Sequence, residues 1–180
     1  MLPPEPWLSF LLEIDEFLDV EHTFHCLGGF VVTQLYGSER STSDVDFLTL
    51  VQRNDALMKF AGLGSPLYQK HKVYLDPVGV AIIPDDYADR LTPIYPDCFE
   101  KIRLFSMDPY DIILSKLERN SSRDRDDVEY LAQALDLNVT LLKHRYEQEV
   151  RYQVKNERRE DQTLNLWIEM IEESQAHKGE

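Results

Sequence analysis

At 180 residues the chain is long enough for one substantial domain or two small ones sharing a core, and its 43% hydrophobic and 11% aromatic content excludes a disordered protein. A formal net charge of -14 excludes any general electrostatic attraction for DNA or for an anionic membrane surface. A polyanionic ligand must therefore be admitted locally, through metal ions or a few placed cations. No apolar run approaches the roughly 20 residues of a membrane span and no secretory pattern opens the sequence, so a cytoplasmic protein is expected. Cys26 and Cys98 form neither a zinc pattern nor a disulfide framework and read as buried thiols.

In chain order, Trp7, Leu8, Leu11, Leu12 and Phe17 recur at helical spacing and predict an amphipathic helix from Pro6 to Leu18. Phe24 to Leu27 reads as a short strand stopped by Gly28-Gly29. Phe30, Val31, Val32 and Leu35 then suit a short buried helix ended by Gly37, and Ser38 to Ser43 a polar loop. Val45 to Val51 is a strand, Asp55 to Ala61 a helix closed by Gly62 and Gly64. Lys72 to Ile83 is either one interrupted strand or a hairpin turning at Asp76-Pro77-Val78-Gly79. Asp86 to Leu91 predicts a short helix and Phe99 to Phe105 another strand, giving a mixed α/β layer.

After Ser106 the pattern turns helical. Asp108-Pro109 is a helix start with Ile112, Ile113 and Leu117 inward. Val128, Leu131 and Leu135 mark a second helix; Val139, Leu142, Tyr146 and Val150 a third, capped by Asn138; Leu164, Trp167, Ile168 and Ile171 a fourth. Tyr146, Tyr152 and Trp167 read as helix packing, and Gln175 to Glu180 as frayed chain. His22, His25, His71, His144 and His177 show no ligand spacing. The expected organisation is an α/β core over residues 1–106 and a helical C-terminal part over 107–180 packed on it.

The chemistry lies in two stretches. In a strand, Asp44 and Asp46 fall on one face while Val45 and Phe47 point the other way. Two adjacent carboxylates repel unless a divalent cation sits between them, and hard oxygen donors suit Mg²⁺, with Mn²⁺ as the alternative ion. The turn Gly28-Gly29 leads into a helix start, where backbone N–H groups lack helical partners and can face phosphate.

This conjunction of a Gly-Gly turn, about fourteen residues and Asp-Val-Asp in a hydrophobic strand resembles the nucleotidyltransferase superfamily with its polymerase-β-like fold. Arg40-Ser41-Thr42-Ser43-Asp44-Val45-Asp46 looks like the Arg-x-Thr-x-Asp-hydrophobic-Asp form of the AbiEii-like and related uncharacterised bacterial toxin–antitoxin nucleotidyltransferases. The likeness extends through Tyr74-Leu75-Asp76-Pro77-Val78, Pro84-Asp85-Asp86-Tyr87 with Arg90, Pro109 to Leu117 and Arg123 to Val128. It implies an α+β fold with a small mixed sheet, and catalytic metal ligands at Asp44, Asp46 and Asp76. It further implies nucleotide contacts at Gly28, Gly29, Arg40, Thr42, Lys116 and Arg123, with Asp127 orienting one of these cations. Asp76-Pro77 also fits a turn start, Lys116 a solvated helix face, and Arg123, Asp124 and Asp127 a structural ion-pair cluster at a helix start.

The implied activity is metal-dependent transfer of a nucleotidyl group from an NTP to a hydroxyl of RNA such as tRNA, or of a protein. The resemblance extends this to the toxin of a toxin–antitoxin pair with a cognate antitoxin as partner, and with no membrane or general DNA binding. In so acidic a chain, tRNA binding would need a local basic strip. The competing readings are a catalytically inactive nucleotidyltransferase-fold binding module in a protein complex, and a metal-dependent phosphohydrolase.

Overall fold

A computed structural model describes residues 2–48, 54–79 and 81–177. The chain is a mixed α+β protein that divides into two compact units. The first comprises Met1–Val80 with Leu91–Met107, the second Ala81–Arg90 with Asp108–Glu180.

The first unit is built on α1 (Trp7–Phe17), β1 (His22–Leu27), α2 (Gly28–Gln34), β2 (Asp44–Leu48), α3 (Asp55–Ala61), α4 (Pro66–His71), β3 (Tyr74–Val78), β4 (Thr92–Ile94) and β5 (Ile102–Ser106). The strands form one sheet in the order β3-β2-β1-β5-β4. β1 runs antiparallel to β2 and parallel to β5, β2 runs parallel to β3, and β4 lies antiparallel to β5. Both edge strands contain proline, Pro77 in β3 and Pro93 in β4, which lacks the N–H that would extend the sheet. That settles the reading of the 72–83 stretch: Asp76-Pro77 lies inside a strand, not at a hairpin turn. The part of the predicted Val45 to Val51 strand beyond Leu48 lies outside the described residues.

The core of this unit is aromatic and aliphatic. Phe10 and Ile14 of α1, Phe24 of β1, Phe30 of α2, and Val45 and Leu75 are all buried, with Trp7 edge-on to Phe30 at 4.9 Å between centroids. Asp15 ties α1 to the start of β5 by accepting from the backbone N–H groups of Glu100, Lys101 and Ile102 at 2.7–3.0 Å. Burial raises its carboxyl, but these three donors prevail and hold it below the usual range. They also place the strand start at Ile102, later than the expected Phe99. Two short elements, α4 and β4, carry too little periodicity to be legible. Cys26 is buried as expected, whereas Cys98 is only half-buried, which corrects the expectation for that residue. Burial, with the charge of Asp46 added, pushes the Cys26 thiol up and keeps it unreactive.

The second unit contains α5 (Pro109–Lys116), α6 (Ser122–Ala134), α7 (Val139–Arg145) and α8 (Glu157–Ala176). Asp108, Ser121, Asn138 and Asn156 cap their starts, each accepting from a backbone N–H. Ile112, Ile113, Val128, Leu131, Leu142, Trp167 and Ile171 form the core. A π-turn over Tyr146–Val150 follows α7, where one helix to Val150 was expected. Its wider turn brings Glu149 onto Arg90 at 2.8 Å and the Asp86 N–H at 3.2 Å. Arg90 also forks onto buried Asp111 at 2.9 and 3.0 Å, so residues 81–90 are held to this unit by charge. Tyr146 and Trp167 pack as expected, but Tyr152 does not: its ring is 65% exposed, with its hydroxyl on Asp85. Gln175 and Ala176 continue α8, where frayed chain was expected.

Glu160 sits in the first turn of α8 at 1% exposure, and its Oε2 has no hydrogen-bond partner among the described residues. Burial pushes its carboxyl up against the opposing pull of Arg159. A carboxyl raised in the folded state contributes stability below its unfolded pKa and loses it as pH rises through the folded pKa. Glu160→Gln is therefore expected to stabilise the protein by about 1 kcal/mol at pH 7, with the gain vanishing near pH 4 in urea melts at the two pH values.

Candidate metal centre

The site is assembled by strand register. Asp44 and Asp46 share one face of β2 while Val45 and Phe47 are buried on the other. In the parallel ladder Asp44 lies opposite Tyr74 and Asp46 opposite Asp76. Residues directly opposite with the same facing present neighbouring side chains, so three carboxylates converge. Each of Asp44, Asp46 and Asp76 is half-buried and offers an oxygen within 4.8 Å of the others.

The glycine turn is shaped around these groups. Leu27, the last residue of β1, pairs with Asp46, which brings Gly28 beside that carboxylate. Gly28 has φ +69°, and a Cβ there would stand 2.0 Å from Asp46 Oδ2. The next residue, Gly29, leaves room for the Arg40 guanidinium, since a Cβ would stand 2.3 Å from Arg40 Nη2 and 3.1 Å from Thr42 Oγ1. The Thr42 hydroxyl donates to Asp44 Oδ1 at 2.6 Å and orients it. Gly28, Gly29, Arg40, Thr42, Asp44, Asp46 and Asp76 are thus neighbours within the first unit.

The electrostatics match an anionic cluster. Burial and then the charge of Asp44 push the Asp76 carboxyl above its usual range. The Tyr74 phenol is pushed up by burial and then by Asp44, Asp76 and Asp46. Tyr74 is the neighbour that sequence reasoning did not assign to the site, although its place two residues before Asp76 put it on the same strand face. Three carboxylates with oxygens within 4.8 Å of one another form a concentrated negative cluster, and hard oxygen donors of this kind fit a divalent cation.

The remaining expected residues belong to the second unit. Lys116 is 2% exposed, which corrects the picture of a solvated helix face. Its Nζ lies 2.9 Å from Asp127 and 3.5 Å from Asp124. Asp124 also accepts from Arg119 and Ser121 and completes a capping box at the start of α6. Arg123 is exposed on the first turn of α6.

Asp44 and Asp46 on β2 and Asp76 on the parallel β3 thus form a carboxylate triad beside a glycine turn, a set of oxygen donors that could hold a divalent cation. The profile of a family described as Nucleotidyltransferase of unknown function (DUF6036) matches residues 11–175, and the chain belongs to that family. It is accordingly an enzyme of the nucleotidyltransferase superfamily, with a general role in nucleotidyl transfer. No curated protein and no solved structure gives a significant match. Among the described residues no helix is long and apolar enough to cross a membrane.

Proposed function

We propose that the protein transfers a nucleotidyl group from an NTP to a hydroxyl acceptor on RNA or protein, with pyrophosphate leaving, in a reaction that requires Mg²⁺ or Mn²⁺. The observation that carries this reading is the convergence of Asp44, Asp46 and Asp76 from two parallel strands. A divalent cation held there would supply Lewis acidity, lowering the pKa of the attacking hydroxyl and neutralising charge on the triphosphate. Thr42 fixes the rotamer of Asp44, and the absent Cβ of Gly28 leaves space for Asp46. Arg40, seated against Gly29, supplies a planar cation beside the carboxylates for phosphate. From the family likeness we assign phosphate contacts also to Lys116, held by Asp127, and to Arg123. The same likeness supports a toxin role with a cognate antitoxin.

The test incubates the protein with each α-labelled NTP, cell extract and Mg²⁺, beside Asp44→Asn and Asp46→Asn. Label is expected in RNA or protein with the parent and at least about 1,000-fold less with either variant, a loss worth about 4 kcal/mol of transition-state stabilisation. Equal labelling by all three proteins would remove both aspartates from the reaction. Release of free nucleotide or phosphate without a labelled acceptor would make the protein a hydrolase.

A further inference from the structure

Tyr74 carries a hydroxyl that the fold does not use. At the start of β3 its backbone N–H donates to the Ser43 carbonyl at 2.9 Å, and its ring packs edge-on against Tyr68 at 5.6 Å between centroids. A phenylalanine would make both contacts. Among the described residues the hydroxyl itself has no hydrogen-bond partner.

The place of this hydroxyl is informative. Tyr74 lies opposite Asp44 in the parallel ladder and precedes Asp76 by two residues, so it rises from the same face as the carboxylates. Side chains stand roughly perpendicular to a sheet, and a tyrosine reaches further from its strand than an aspartate does. Its oxygen therefore belongs to the layer outside the carboxylates, where a ligand of their cation would lie. The ring is half-buried on an edge strand, and after burial it is the charges of Asp44, Asp76 and Asp46 that push its phenol up, which marks its nearness to all three. A neutral phenol offers one O–H donor. With the carboxylate oxygens turned to a cation, the strongest acceptor left in that layer is a phosphate oxygen. The contact with Tyr68 holds the ring in place, so little ordering is needed on binding.

We propose that Tyr74 contacts the substrate, its hydroxyl donating to a phosphate oxygen of the bound nucleotide. This deepens the transferase reading and rests on it, because that reading makes a triphosphate the anionic ligand of the site.

The test is calorimetric binding, in Mg²⁺, of the α,β-methylene analogues of ATP, GTP, CTP and UTP and of inorganic tripolyphosphate. Tyr74→Phe removes the hydroxyl and keeps the ring against Tyr68. It is expected to bind the analogues that the parent binds at least about tenfold more weakly, the scale of a lost hydrogen bond to a charged group. Tripolyphosphate, which has neither base nor sugar, should lose the same factor. Mn²⁺ affinity without nucleotide should stay at the parental value. Equal binding of the analogues by both proteins overturns the proposal and leaves the transferase reading standing. A loss confined to the analogues would put the hydroxyl on base or sugar, and a fall in Mn²⁺ affinity would make the phenol a cation ligand; either result also overturns it. If the parent binds neither analogue nor tripolyphosphate, the transferase reading falls and the role of Tyr74 with it.

Discussion

Gly28→Ala is expected to abolish divalent-cation binding and lower nucleotidyl transfer by more than about 100-fold, the scale of a misplaced reacting group. Two effects combine. An alanine at φ +69° carries about 1–2 kcal/mol of left-handed strain, and its methyl would overlap the Asp46 carboxylate, with Cβ 2.0 Å from Oδ2 and 2.9 Å from Cγ. That carboxylate stands on a paired strand and cannot retreat without turning away from Asp44 and Asp76. Gly29→Ala is the control. Its Cβ would meet the end of the Arg40 side chain, which can swing aside. It should therefore keep cation binding and lose NTP affinity. Mn²⁺ titration calorimetry on both variants checks the contrast; retained Mn²⁺ affinity in Gly28→Ala would show that Asp46 is not a ligand.

How far the sequence disclosed this site follows from the range of the interactions. Asp44 and Asp46 were readable because a strand's two-residue period is local, and the buried Val45 and Phe47 confirm their facing. Asp108-Pro109 and Asn138 were readable because capping is local too. The strand role of Asp76 was hidden: Asp-Pro is ordinary turn chemistry, and only the parallel pairing of β3 with β2 holds it in extended backbone. The side-by-side packing of α6 and α8 was out of reach for the same reason. Arg123 and Arg158 are 35 positions apart, and nothing in either stretch announces that α6 and α8 begin together. Tyr152 was misread because the π-turn breaks the period that would have buried it.

The Lys116 cluster carries the largest stability prediction. Lys116, Asp124 and Asp127 have side chains no more than 4% exposed, so each charge depends on the others for solvation. Asp124 accepts from Arg119 Nε at 2.8 Å, the Ser121 N–H at 2.9 Å, the Ser121 hydroxyl at 2.7 Å and Lys116 at 3.5 Å. Asp124→Ala removes these acceptors, unfastens the start of α6 and leaves the buried ammonium to Asp127 alone. The expected loss is about 3–5 kcal/mol in urea unfolding at pH 7. Burial alone would raise the Asp124 carboxyl, but Arg119, Ser121 and Lys116 hold it far below the usual carboxylate range. A depressed folded pKa contributes stability above the unfolded pKa, and that stability is lost as pH falls toward the folded one. The parent should therefore weaken steadily below about pH 4, while Asp124→Asn, already weakened, should show a flatter decline there. If Asp124→Ala unfolds at the parental urea midpoint with an unchanged slope, Lys116 is solvated after all, and its ammonium is available to a nucleotide without help from α6.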